Sequence, residues 1–329
     1  MNIAPSTDDT NRALRERLAL VTQSPLPVPG NGSTHIRFRT LWDIARQDLE
    51  LARLAEAHHD AHAIAHDVGI ELAEGLYGVW AATGPSPLVA TPTVEGYSIA
   101  GEVPWCTGIG VVDRALVAAR CNLNDGSQDG MLIDVRVEDG VVVQSDRPWF
   151  SAAFLHTGTA SLRFDRTVNA AAIAAEHDRY FKRAGFWHGA IGVAACWSGG
   201  LRGLLDRYAQ TWRRSDGHSV AHLGSAEGWA NAMDAVLQQA ACDIDANPYD
   251  VDVAEARARS VRHVIERACT MAMDHLAVGA GPEPLAFDPE IVARTQQLQL
   301  YVRQCHGARD MEPLGRYLLR GPSDAAKGV

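Results

Sequence analysis

The most constraining stretch of the chain is residues 75–119. Short apolar runs at 77–82, 97–100 and 115–119 alternate there with Gly and Pro, as in Gly84-Pro85-Ser86-Pro87. Runs this short, bounded by residues that favour turns, are too brief for ordinary helices and read as antiparallel strands joined by tight turns. Trp105 and Thr107 sit among them, one residue apart. On an extended strand that spacing places both side chains on one face, a flat aromatic beside a hydroxyl. Such a pair suits a planar heteroaromatic ligand. It equally suits a core Trp beside a strand Thr, since both residue types favour strands.

Beyond this stretch the strand signals continue to about residue 168. Asn122-Leu-Asn-Asp-Gly and Glu138-Asp-Gly are hairpin signals, flanked by strands at 131–137 and 141–143. Trp149-Phe150 and the run 161–168 complete a β-rich segment. From residue 169 the pattern is helical: a short piece at 170–176, then long helices at 186–212, 226–247, 251–276 and 289–319, with a loop at 278–288. Short connections between helices of this length imply an antiparallel four-helix bundle. The first of them is rich in Ala and Gly, which allows close helix packing. Upstream, a short helix is expected at 8–22. A longer one follows at 40–68, with Thr40 as N-cap and Gly69 at its end. The expected architecture is therefore α+β in three parts: a short N-terminal helical domain (1–74), a middle antiparallel β-barrel or sandwich (75–168) and a C-terminal helical bundle (169–329).

Composition removes several classes of function. With 329 residues, 47% of them hydrophobic, the chain can bury a large core. A net charge of -10 without a basic block argues against nucleic acid or an anionic membrane as the main partner. Six cysteines without a Cys-x-x-Cys pair argue against a zinc or disulfide framework. The N-terminus is polar and no apolar run of about 18 residues occurs, so a cytoplasmic, soluble protein is expected. The helix at 40–68 carries His58, His59, His62 and His66. Positions 58, 62 and 66 share a helical face, yet no acidic or cysteine cluster accompanies them, so no metal site is expected.

The segment 75–119 resembles the start of the middle β-domain in acyl-CoA dehydrogenase-type flavoproteins. Thr83-Gly84-Pro85 stands where that superfamily has Thr-Glu-Pro, and Trp105-Cys106-Thr107 where it has Trp-Ile-Thr. Asp113 and Val117-Ala118-Ala119 match the strand that follows. Residues 161–168 are similar to the strand closing that domain, and the order α, β, α-bundle is the superfamily layout. The resemblance implies FAD as cofactor, with Trp105 and Thr107 packed on the flavin and Thr83 and Ser86 giving hydroxyl contacts. It places Arg213 at an Arg-x-x-Phe-Gly motif that holds the pyrophosphate, with Asp216 in the Phe place. A guanidinium suits that role because it binds pyrophosphate bidentately.

What the resemblance implies about chemistry divides three ways. The first is an FAD-dependent oxidoreductase that desaturates an acyl thioester, passing hydride to flavin N5. That reaction needs a carboxylate base, which the superfamily carries near the C-terminus or early on the first bundle helix; neither place offers one here. The second is a flavin-dependent monooxygenase of the same fold, whose arginine-then-histidine order Arg294 and His306 follow, with His306 and His58 as the catalytic histidines. The third is a non-catalytic homologue acting as a binding subunit. The partners implied are a small-molecule substrate, an electron acceptor or flavin reductase, and further subunits in a homo-oligomer or hetero-oligomer.

Overall fold

The computed structural model describes residues 7–122, 128–137, 143–144, 148–176 and 179–324. The chain divides into two compact units, Met1–Leu26 with Arg53–Phe186, and Pro27–Ala52 with Trp187–Val329. The first is strand-rich and the second helical, so the chain is α+β.

Among the described residues, the strand-rich unit holds helix α1 (Thr7–Val21), most of a later helix α3 (Leu49–Val68), and eight strands. These are β1 (Tyr77–Trp80), β2 (Val89–Thr93), β3 (Gly96–Cys106), β4 (Arg114–Asn122), β5 (Gln128–Arg136), β6 (Val143–Gln144), β7 (Ala160–Asn169) and β8 (Ile173–Ala175). They form one sheet in the order β6-β7-β3-β2-β4-β5-β8, with β1 added on β4. The sheet is mixed, where a wholly antiparallel one was expected. β1 runs parallel to the start of β4 (Tyr77 opposite Arg114), and β2 runs parallel to its end (Val89 opposite Arg120). The loop 81–88 therefore leaves β4 and returns to it. Its return is pinned by Glu102 N–H donating to Ser86 O at 2.8 Å and Arg120 N–H to Leu88 O at 2.8 Å. β4 and β5 pair antiparallel, with Asn122 opposite Gln128. The hairpin signals at 123–126 and 138–140, and Val141 and Val142, lie outside the described residues. Leu116 and Leu132 turn inward with Tyr77, Ile64, Ala61 and Tyr180 to form a core under α3.

Two further expectations fail in this unit. Residues 149–150 are irregular rather than a strand. The piece at 170–176 is one 3-10 turn followed by β8, because Asn169 caps the turn through Ala171 N–H and the β-branched Ile173 then pairs with Ile133.

The helical unit contains α2 (Thr34–Gln47), α4 (Ala184–Thr211, from Trp187 on), α5 (Gly217–Ala246), α6 (Val251–Ala280), α7 (Pro282–Phe287), α8 (Pro289–Tyr301) and α9 (Ala308–Asp324). The single helix expected at 40–68 is two, α2 and α3. Asp48 leaves helical geometry (φ -152°, ψ 112°), its N–H closing α2 on Ile44 O. Its carboxylate accepts Leu51 N–H at 3.0 Å, which starts α3. The expected last helix likewise splits at Gly307, whose φ of 59° lies in the left-handed region. The expected loop at 278–288 is largely helical, α6 running to Ala280 and α7 starting at Pro282. Glycines on α4 admit close approach as expected: a β-carbon on Gly199 or Gly203 would overlap the carbonyl oxygens of Trp42 and Arg46 on α2.

Candidate functional site

The corner around Trp105 is built by a bulge. Val103 pairs with Leu162 and Cys106 with Ala160, so one extra residue is inserted in β3 against β7. A bulge breaks the ladder locally and re-aims a side chain. Trp105 takes φ 62°, a left-handed conformation that bulky residues avoid, and its side chain is 57% exposed. This corrects the expectation that Trp105 and Thr107 share one face of a regular strand. The bulge, and the end of β3 at Cys106, intervene. The exposed indole meets Trp149 edge to face, ring centroids 5.8 Å apart at 89°. Pro104, Trp105, Pro148, Trp149, Thr159 and Ser161 line a recess of ≈ 200 Å³. Loop 81–88 lies alongside, since a β-carbon on Gly84 would stand 3.5 Å from the Pro104 ring. The exposed Thr83 and Ser86 thus flank the Trp105 corner.

Thr107 follows the bulge. Its carbonyl accepts the Trp80 indole N–H at 2.9 Å, and its hydroxyl lies 3.1 Å from that of Thr159. Thr159 in turn lies 3.0 Å from the Thr157 hydroxyl, which donates to Phe154 O at 2.9 Å. Backbone bonds stitch the two segments together: Gly108 N–H donates to Thr157 O at 2.8 Å, and Ile109 N–H to Gly158 O at 3.1 Å. Gly158 has φ 56°, and a β-carbon there would overlap Ile109 O, so the site requires glycine. Sequence reading missed Thr157 and Thr159; the Thr-Gly-Thr run was their only local signal.

His58 belongs to the strand-rich unit but not to the recess lining. It is 5% exposed, and its Nδ1 accepts Tyr77 N–H at 3.1 Å, which puts the ring proton on Nε2. Burial first, and the nearby His62 second, lower its pKa to about 4. His58 is therefore a neutral imidazole near pH 7. Among the described residues no group of three or more His, Cys, Asp or Glu could hold a metal ion.

Arg213 and His306 belong to the helical unit. Arg213 lines a wide mouth of ≈ 540 Å³ with Tyr208, Trp212, Arg214, Glu283 and Phe287. Its guanidinium contacts Glu283 at 3.0 Å, with both side chains mostly exposed (81% and 65%), a weak and exchangeable pair. Arg214 donates to Gly279 O at 3.2 Å. Trp212 Nε1 is buried without a hydrogen-bond partner. Burial, then the charge of Asp288, push the Tyr208 hydroxyl up to about 12. Asp216 accepts Ser219 N–H at 2.9 Å as the N-cap of α5. Arg294 donates to Arg46 O and Gln47 O, the last carbonyls of α2, at 3.0 and 2.8 Å. His306 stands between α8 and α9, its N–H donating to Asp310 Oδ2 at 2.8 Å and its ring 3.5 Å from that carboxylate.

The fold is shared, over nearly the whole chain, with several solved structures. One of these is the dibenzothiophene monooxygenase from Paenibacillus sp. A11-2, at a TM-score of 0.73 and 14% identity over 96% of this chain and 97% of that one. Others are XiaF from Streptomyces sp., solved with FADH2 and glycerol (TM-score 0.69, 16% identity, 95% and 96% covered), and the 3-HSA hydroxylase from Rhodococcus sp. RHA1 (0.67, 14%, 94% and 95%). No family model and no curated protein sequence matches the chain. No helix among the described residues is long and apolar enough to cross a membrane.

Proposed function

We propose that the protein is a flavin-dependent monooxygenase that uses reduced flavin delivered by a separate reductase. The observation that carries this reading is the make-up of the Trp105 recess. It offers an exposed aromatic plane and hydroxyls, and none of its described lining residues is Asp or Glu. Desaturation next to a thioester needs a carboxylate base at the reacting carbon. Oxygenation by a flavin does not. The similar structures add weight: one is named as a monooxygenase and was also solved with FMN and indole, another holds FADH2, and a third is named as a hydroxylase.

The residues present fit a flavin. Trp105 gives a flat face for the ring system, held by its edge-on contact with Trp149. Thr107, with Thr83 and Ser86 on the neighbouring loop, gives polar contacts at the ring edge. A recess of ≈ 200 Å³ is smaller than the roughly 300–1,000 Å³ that encloses a drug-sized ligand, so it seats one edge of the ring system. Arg213 is assigned to the phosphate end, where its exposed pair with Glu283 yields readily to a doubly bonded phosphate. FMN and FAD both carry phosphate that a guanidinium can hold bidentately. Bound reduced flavin supplies two electrons and the activation of dioxygen. The chain supplies the rest. Apolar Pro104, Pro148 and Trp149 keep water from the ring, neutral His58 holds strand β1 through Tyr77 N–H, and His306, steadied by Asp310, is assigned to proton transfer.

The test is turnover with a flavin reductase, NADH and FMN or FAD under oxygen-18 gas, with indole among the substrates offered. Product gaining one labelled oxygen atom supports the reading. A product that has only lost two hydrogens would favour dehydrogenation, and no turnover together with no flavin binding would leave a non-catalytic subunit.

A further inference from the structure

Another recess is set into the helical unit, between α2 and α5, and it shares no lining residue with the Trp105 recess or the Arg213 mouth. Its volume is ≈ 300 Å³, at the lower end of the roughly 300–1,000 Å³ found for small-molecule pockets. Helical spacing builds it. Phe38 and Trp42 stand four residues apart on α2, and Asp234, Leu237 and Gln238 fall at i, i+3 and i+4 on α5, so each set shares a helix face. Phe38, Trp42 and Leu237 are buried and give apolar walls, whereas Gln238 is exposed at the rim.

Asp234 is the only carboxylate among the described lining residues. Its Oδ1 accepts the Trp42 indole N–H at 3.0 Å and the Ser198 hydroxyl at 3.2 Å, which joins α5 to α2 and α4. Its Oδ2 accepts no hydrogen bond among the described residues, and no cation pairs with it there. Arg202, whose charge reaches Asp234, gives both terminal nitrogens to Glu227 at 2.7 and 3.2 Å. Arg39 lies over the Trp42 ring, 4.2 Å from its centre, and is balanced by both oxygens of Asp43 at 3.0 Å. The recess therefore presents one uncompensated carboxylate oxygen between aromatic and aliphatic walls.

We propose that this recess binds a small organic ammonium ion, a primary amine on a compact apolar body, with the ammonium on Asp234 Oδ2 and the body against Phe38, Trp42 and Leu237. The inference stands apart from the flavin reading. An anion would meet the carboxylate as a like charge. A neutral apolar molecule would cover the walls and bury Oδ2 without a partner, which costs free energy. An ammonium brings three N–H donors, one for Oδ2 and another for the Gln238 amide oxygen, and its bond to a carboxylate is about twice as strong as a neutral one. The acceptor is held in advance, because Trp42 and Ser198 already fix the carboxylate through Oδ1.

The experiment titrates the full chain with phenethylamine at neutral pH by calorimetry, beside phenethyl alcohol, its neutral isostere, and hydrocinnamate, an anion of similar size. The amine should bind saturably, about ten-fold or more tighter than the alcohol, and the anion should not bind. Asp234→Asn keeps an oxygen for Trp42 and Ser198 and should lower the affinity for the amine to that for the alcohol. Gln238→Trp, at the exposed rim, should fill the recess and abolish binding of both, and serves if Asp234→Asn does not fold. Equal affinity of wild type for amine and alcohol, or an undiminished affinity for the amine in either variant, would overturn the inference. So would a wild type that ignores the amine. If that wild type also self-associates and Gln238→Trp abolishes the association, the recess belongs to a second copy of the chain instead.

Discussion

The Trp105 corner and the Arg213 mouth are two different kinds of surface. At the Trp105 corner the backbone is fixed before any ligand arrives. A bulge, a left-handed tryptophan, an obligatory glycine at 158 and two inter-segment backbone bonds leave it little freedom. At the Arg213 mouth the Arg213 charge sits on a long exposed side chain paired with an exposed glutamate, beside the less exposed Arg207–Asp288 pair. The difference teaches what each surface can offer a ligand: the corner a fixed, preorganised shape, the mouth charge on side chains that can follow their partner.

Breaking the rigid side should cost most. Gly158→Ala must either shift Ile109 O or leave φ 56°, and should lower unfolding free energy by about 2–4 kcal/mol in chemical denaturation. Gly281→Ala, at φ 79° near the mouth, meets only Arg214 Nη1 at 3.6 Å and should cost about 1–2 kcal/mol. Equal costs would erase the contrast. The strand-rich unit should also respond to acid through His58. Its pKa is about 4 when folded and near 6.5 when unfolded, so its contribution is full above pH 6.5 and is lost as pH falls toward 4. The loss is up to about 3 kcal/mol by linkage. His58→Gln should flatten that part of the stability-against-pH curve, and an unchanged slope would place the acid sensitivity elsewhere.

Binding sharpens the comparison with smaller effects. Arg213→Ala should weaken reduced FMN and FAD binding about ten-fold and leave riboflavin, which lacks phosphate, unchanged. A matching loss for riboflavin would remove Arg213 from the phosphate end. Trp149→Ala removes an edge-on aromatic contact worth about 0.5–1.5 kcal/mol and should weaken FMN binding less than loss of Trp105 itself. Glu283→Ala should change stability by less than about 1 kcal/mol, as expected of an exposed pair.

The same contrast separates what was legible in the sequence from what was not. The strand-rich middle and helical C-terminus could be read because Gly/Pro punctuation and helical periodicity are local signals. The α2–α3 break was hidden because apolar periodicity runs through Asp48, which acts both as the stop of one helix and the cap of the next. Parallel pairing of β1 and β2 on β4 depends on where loop 81–88 returns, which no local pattern states. Trp105 and Thr107 could be picked out by type and spacing. The bulge that turns Trp105 outward depends on its partner strand β7, and Trp149, Thr157 and Thr159 reach the corner from some fifty residues away.

The most direct measurement of the account is an anaerobic titration of the protein with reduced FMN, followed by tryptophan fluorescence, in wild type and Trp105→Ala. Saturable binding by wild type, weakened about 10- to 100-fold in Trp105→Ala as loss of one stacking platform demands, is the expected result. Absence of saturable binding, or an unchanged dissociation constant in Trp105→Ala, would contradict the assignment of this corner to the flavin.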